Sequence, residues 1–520
     1  MTKKYRILHI LLILTLLSSA LAGCVKFPGT APTAEIVIFH TNDTHGRVLG
    51  NDEDIIGIDR IASIHKETPG SILLDAGDTL HGLPVATLSR GADIAVLMKA
   101  AGYSAMTVGN HEFHYGWERL EELRAAAGFP FLAANVTKDG SLLLDDAVII
   151  EVSGVLLGIF GLTTEATAHL AMPGYVSGLV FEDPVTVARD MVGLLREQGA
   201  HVIVAVCHLG SDPDAGTLST QLAREASGID VIIDGHSHTE LPEGITENGA
   251  LIVQAGNHGN NLGKMVIAVE NGEITSKTAS LIGFEETRGT APDETVAAML
   301  SDITANLEAL LGKPVGESKA LMSSERAPGL RTQEMPLGSL VADAYRQAAD
   351  ADIAIANGGD IRADILPGVI TNGDIISVLP FGNTLMVKTV TPALLREILE
   401  NGVSGIITDE NGNIDHEQSA QGRFLQISGF SFRYYPAAAA GERIRSITLD
   451  DGSPLSLDDD ETRITLAGSS YVMTGGDYYT MLGSLPIDYE LGAADEALAE
   501  YVKRHSPLFA PGTGRITEMG

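Results

Sequence analysis

Five short stretches hold the side chains best suited to chemistry. They read Asn42-Asp43-Thr44-His45-Gly46, Asp75-Ala76-Gly77-Asp78, Gly109-Asn110-His111-Glu112, His208-Leu209-Gly210 and Asp234-Gly235-His236-Ser237-His238. Each follows a short apolar run: Ile36–Phe39, Ile72–Leu74, Ala105–Val108, Val202–Val206 and Val231–Ile233. One Asp-x-His alone is most often a turn. Five such loops in order, each after a strand-like run, point to metal. The set can hold two divalent ions, with Asp43, His45 and His238 on one, Asn110, His208 and His236 on the other, and Asp78 between them. Two neighbouring ions neutralise phosphate oxygens and make a water acidic enough to ionise near neutral pH. Carboxylates supply charge, while imidazole and amide donors keep the site open to an anion. This mixture suits Mn, Zn, Co or Fe better than Mg or Ca.

The elements that must position these donors follow from the pattern between them. Short continuous apolar runs suit strands buried on both faces of a layered α/β sheet. The intervening stretches Ile58–His65, Ala92–Ala101 and Trp117–Ala127 are predicted helices, the second apolar at Ile94, Leu97, Met98 and Ala101. In an open α/β sheet the carboxyl ends of the strands converge on one edge, so the donors would meet there. Residues 291–312 read as a long helix whose acidic start, Asp293 and Glu294, favours the helix dipole. Beyond it the His/Asn/Asp clusters give way to arginines, aromatics and Gly-Gly loops, which places a domain boundary at that helix.

At 520 residues the chain is long enough for two to four domains, and with 44% hydrophobic and 20% charged residues its composition is globular. Lys plus Arg number 34 against 68 Asp plus Glu, a net charge of −34, which argues against a nucleic-acid polymer as partner. A small phosphorylated ligand stays compatible if metal or a few arginines supply local charge. Two cysteines exclude a disulfide framework. Lys3, Lys4 and Arg6 precede the apolar stretch Ile7–Ala22, which is too short to span a bilayer comfortably and reads as a secretory signal. Leu21-Ala22-Gly23-Cys24 resembles a bacterial lipoprotein box. Residues 1–24 are therefore expected to be a lipoprotein signal with lipidation at Cys24, and residues 25–34 a tether. The protein would be anchored at the membrane outside the cytoplasm, with no obligate protein partner evident.

Four further motifs lie in the second half: Leu330-Arg331-Thr332 with Pro336-Leu337-Gly338-Ser339-Leu340; Asn357-Gly358-Gly359-Asp360-Ile361-Arg362; Leu379-Pro380-Phe381-Gly382-Asn383; and Tyr471-Val472-Met473-Thr474-Gly475-Gly476-Asp477. Together with the five loops, they resemble the bacterial 5′-nucleotidase, UDP-sugar hydrolase and 2′,3′-cyclic-nucleotide phosphodiesterase family of calcineurin-like metallophosphoesterases, from about Glu35 to near the C-terminus. The resemblance implies a four-layer α/β/β/α domain over residues 35–288, a linker helix over 289–312 that acts as a hinge, and an α/β substrate-binding domain over 313–520. It implies Arg331 and Arg362 near phosphate, Phe381 and Tyr471 on either side of a nucleobase, Asp477 on ribose hydroxyls, and Asn357 and Asn383 in the same substrate-binding loops. The residue types agree. Aromatics beside Gly-rich turns project rather than pack, and arginines pair with phosphate or carboxylate through two parallel hydrogen bonds.

The catalytic loop departs from the family. Three residues after the histidine the family usually has an aspartate, which pairs with that histidine as a dyad; here His114 follows His111. The expected function is an extracytoplasmic phosphohydrolase that acts on nucleoside 5′-monophosphates and related nucleotides, with His111 and His114 in the catalytic dyad. The alternatives are a 2′,3′-cyclic-nucleotide phosphodiesterase or UDP-sugar pyrophosphatase of the same family, a nucleotide-binding lipoprotein with weakened catalysis, and a thiosulfate-ester hydrolase on the same scaffold.

Overall fold

The computed structural model describes residues 33–51, 53–171, 175–211, 217–409, 413–419 and 421–519. The expected signal, Cys24 and all but the last two residues of the expected tether lie outside them. The chain divides into two compact units, Met1–Thr304 and Ala305–Gly520, with the boundary inside the helix Glu294–Leu311. The Asp293 side chain accepts the Val296 amide at 3.0 Å and caps that helix. Among the described residues no helix is long and apolar enough to cross a membrane.

In the first unit the five apolar runs are strands: β1 Ala34–Thr41, β2 Ile72–Asp75, β3 Ala105–Thr107, β4 Val202–His208 and β5 Val231–Ile233. They divide between two sheets, in keeping with the expected four-layer α/β/β/α arrangement. β1, β2 and β3 are parallel neighbours in a six-stranded sheet completed by Glu273–Gly283 and Asn261–Glu270 on one side and Phe131–Leu132 on the other. β4 and β5 are parallel neighbours in a second six-stranded sheet. The reason lies in burial. Every residue of β4 is buried, with Val202, Val204 and Val206 in one core and Ile203, Ala205 and Cys207 in another. The first core also holds Ile36, Ile38, Ile72 and Leu74 of β1 and β2, so the two sheets pack face to face. The second core holds Val185, Ala188, Met191 and Leu195 of the helix Pro184–Glu197, so helices cover the outer face. Strands with two apolar faces need a layer on each side. On the first sheet the connections between parallel strands run through the helices Ile58–Lys66 and Ala92–Ala101, which supply the remaining layer. β1 to β5 all end in the donor loops.

The second unit centres on a mixed five-stranded sheet in the order Leu425–Ser428, Ile353–Asn357, Ile464–Ser469, Thr384–Val390 and Tyr489–Ala493. The helix Pro336–Ala349 packs on it and buries Leu337, Leu340, Val341 and Tyr345. A four-stranded sheet lies beside it and shares its core through Phe430, Phe432 and Ile447.

Candidate metal centre and the pocket of the second unit

The donors of all five loops meet at the carboxyl ends of β1 to β5. Asp43, His45 and His238 offer ligand atoms within 4.8 Å of one another, as do Asp78, His208 and His236, and also His45, Asp78 and His111. Asp78 therefore stands between the two outer groups, and Asn110 joins through a 3.0 Å hydrogen bond from His236 Nδ1 to its Oδ1. The backbone pays for this gathering in conformation. Asp43, His45, Asp78, His236 and His238 all have φ between 47° and 74°, a region that side-chain-bearing residues seldom occupy. Close approach demands glycine nearby: a Cβ at Gly109 would sit 2.1 Å from Asp78 Oδ1 and 2.7 Å from His208 Nε2.

These residues fit divalent cations. Asp43 and Asp78 are buried, and among the described residues their ion pairs run only to histidines: His238 at 3.5 Å for Asp43, His208 at 3.0 Å and His111 at 3.8 Å for Asp78. Buried carboxylates call for a cation. His45 Nε2 and His238 Nε2 face each other at 3.2 Å, a spacing that two ligands of one ion can adopt. Burial, and then the neighbouring imidazoles, hold the His45 pKa well below 6.5 and bring that of His236 to about 4, so both rings keep a lone pair at neutral pH. His208 is the exception. Burial pulls it down, but the Asp78 carboxylate overrides this and raises it to about 10, so in the metal-free protein a cation must displace its proton.

All seven residues expected at the substrate line one open pocket of about 440 Å³ in the second unit: Arg331, Asn357, Arg362, Phe381, Asn383, Tyr471 and Asp477. Asn357 ends one strand, Asn383 precedes another and Tyr471 lies in the short helix Ser470–Met473 after a third, so neighbouring strand ends supply the lining. Phe381 and Tyr471 remain 49% and 43% exposed, unlike core aromatics. The Arg362 guanidinium lies 5.3 Å from the centre of the Phe381 ring. Asp477 accepts from Asn357 Nδ2 at 2.9 Å and from the Tyr471 hydroxyl at 3.2 Å, one bond on each carboxylate oxygen. Burial and the positive charges of Arg326 and Arg362 hold Arg331 below its ordinary pKa, a field that favours an anion.

The calcineurin-like phosphoesterase profile matches residues 36–240, and the 5′-nucleotidase C-terminal domain profile matches residues 314–484. The chain belongs to the 5′-nucleotidase-type calcineurin-like phosphoesterases. It is similar to the 5′-nucleotidase of Vibrio vulnificus, at 28% identity over 96% of this chain and 98% of that protein. It is also similar to the trifunctional nucleotide phosphoesterase protein YfkN of Bacillus subtilis, at 30% identity over 93% of this chain, although it spans only 35% of that longer protein. Among solved structures, a 5′-nucleotidase precursor from Thermus thermophilus aligns with a TM-score of 0.55 at 29% identity, covering 94% of this chain and 99% of that one. Membership makes the protein a metal-dependent phosphoester hydrolase with a two-domain α/β architecture.

Within this phosphoesterase centre, several positioning residues carry no assignment in the sequence reading. Buried Glu112 accepts four backbone N–H groups, those of Asp78 and Gly109 on one oxygen and those of Thr79 and Leu80 on the other, at 2.7 to 2.9 Å. It ties the β2 loop to the β3 loop. Asp234 accepts from the Leu209 and Gly210 amides and does the same for the β4 and β5 loops. The Asn257 amide meets His238 Nδ1 at 3.0 Å and sets that ring. Acids inside or beside ligand motifs were the available signal for the two carboxylates, and the polar pair Asn257-His258 after the Gln254-Ala255-Gly256 turn was the signal for Asn257. Glu112→Gln keeps the shape but turns an N–H₂ group toward two donors. It is expected to cost about 3 kcal/mol of stability, read by denaturant unfolding, because bonds to a charged acceptor are lost and buried donors are stranded. An unchanged midpoint would show that the carboxylate is not what joins the loops.

Proposed function

We propose that the protein releases phosphate from nucleoside 5′-monophosphates and related nucleotides, using two divalent ions, Mn, Zn or Co rather than Mg, outside the cytoplasm. The observation that carries the reading is the pocket that sets two half-exposed aromatics, a carboxylate and two guanidiniums around one cavity. Phe381 and Tyr471 would hold the base, and Asp477 the ribose hydroxyls through its remaining lone pairs. Arg331 and Arg362 would meet phosphate. Asp43, His45 and His238 would hold one ion, Asn110, His208 and His236 the other, and Asp78 both. When bound, the ions supply positive charge to the phosphoryl oxygens and acidify the attacking water. His111, whose amide donates to Asp78 Oδ1 at 2.9 Å, would donate a ring hydrogen bond to the phosphoryl or leaving oxygen. The basic-then-apolar stretch Lys3–Ala22 supports export, with anchoring through Cys24. A panel of AMP, ATP, a 2′,3′-cyclic nucleotide and UDP-glucose with added Mn²⁺ or Zn²⁺ tests the reading. AMP is expected to give the highest kcat/KM, and no turnover of any of the four would overturn it.

The dyad partner modifies this chemistry. His114 is buried with its ring centre 4.6 Å from that of His111, and burial, then the charge of His111, holds its pKa well below 6.5. It is neutral at working pH and can orient His111 but adds no negative charge. His114→Asp supplies that charge, so the alkaline limb of the pH–rate profile is expected to move up by about one unit. A limb that stays in place would show that His114 has no part in catalysis.

A further inference from the structure

His111 also belongs to a second group of histidines that adjoins the centre described so far. His81, His111 and His114 present ring nitrogens within 4.8 Å of one another, with ring centres 4.6 to 5.8 Å apart. His81 is 1% and His114 2% exposed, and neither ring nitrogen of either residue has a hydrogen-bond partner. Four buried imidazole nitrogens without partners are costly, because each donor or acceptor has left water without replacement. One further histidine, His45, meets His111 edge-on with ring centres 4.9 Å apart, and Tyr115 lies 5.2 Å from His81. No carboxylate belongs to the group. An all-imidazole set of three is the donor chemistry of Zn²⁺ and of Co²⁺ as its surrogate, and it is poor for Mg²⁺ or Mn²⁺.

We propose that His81, His111 and His114 form a third, zinc-class cation site adjoining the metal centre, and that His111 couples the two. A bound ion would satisfy one nitrogen on each buried ring. Because two other cations would lie nearby, like-charge repulsion makes this site the weakest of the three, by about tenfold or more. It fills after the other two.

The test counts ions. The metal-stripped full chain is titrated with Zn²⁺ by calorimetry and with Co²⁺ by visible absorption, in wild type, His81→Gln, His114→Gln and Asp78→Asn, with thermal melts as the folding control. Wild type is expected to bind two tight equivalents and one weaker one that adds a tetrahedral Co²⁺ band. His81→Gln and His114→Gln should lose only the weak equivalent and its band, and Asp78→Asn should lose tight binding. Two equivalents in wild type, or a weak equivalent that survives both histidine variants, overturns the third site. Failure of tight binding with the weak site intact would instead overturn the pair of ions.

Discussion

Asp78→Asn is expected to lower kcat/KM for AMP by about 10³-fold or more, because it removes the charge shared by both halves of the centre. The substitution is nearly isosteric. Its amide oxygen can still accept the His111 backbone N–H, and its own N–H still reaches Glu112, so the loops keep their anchors. What disappears is the anion that faces His208 Nε2 at 3.0 Å and shares groups with His45, His111 and His236. Metal content after dialysis should fall together with activity. A variant that keeps activity within tenfold of wild type, at normal metal content, would remove Asp78 from its bridging place and with it the proposed pairing of ions.

Phe381→Ala is expected to raise KM for AMP roughly 10- to 100-fold with little change in kcat, since stacking a base on an aromatic is worth about 1–3 kcal/mol and acts equally on ground and transition states. The ring is 49% exposed and lies beside the Arg362 guanidinium rather than in a core, so folding should tolerate its loss. Hydrolysis of p-nitrophenyl phosphate, which has no base, provides the internal control and should be spared. Phe381→Tyr should restore KM, because stacking needs the face and not the edge. An unmoved KM for AMP would favour a substrate without a nucleobase, such as a thiosulfate ester.

Much of this protein is legible one residue at a time. The apolar runs and their lengths locate β1 to β5 to within a few residues, since short continuous hydrophobicity has few other uses in a strand-rich chain. The helix Ala92–Ala101 follows from spacing alone, and Trp117–Ala127 is bounded by Gly116 and Gly128. The same local logic names Asp43, His45, Asp78, Asn110, His208, His236 and His238 as donors by type and by their place after strands.

Only the tertiary structure decides which donors are neighbours, because adjacency across roughly two hundred residues depends on how sheets stack and not on local pattern. It divides the five strands between two sheets, a choice set by the burial of both faces of β4, which no single run reveals. It turns Glu112 and Asp234 from motif letters into clamps between loops. It also brings His81, thirty residues from His111 in sequence and with no motif of its own, to where its ring nitrogen lies within 4.8 Å of one on His111. Sequence fixes the kinds of side chain and the elements that bear them, since these follow from short-range sterics and hydrophobic periodicity. Contacts between distant loops are settled by packing, where each strand takes the partner that buries its remaining apolar face.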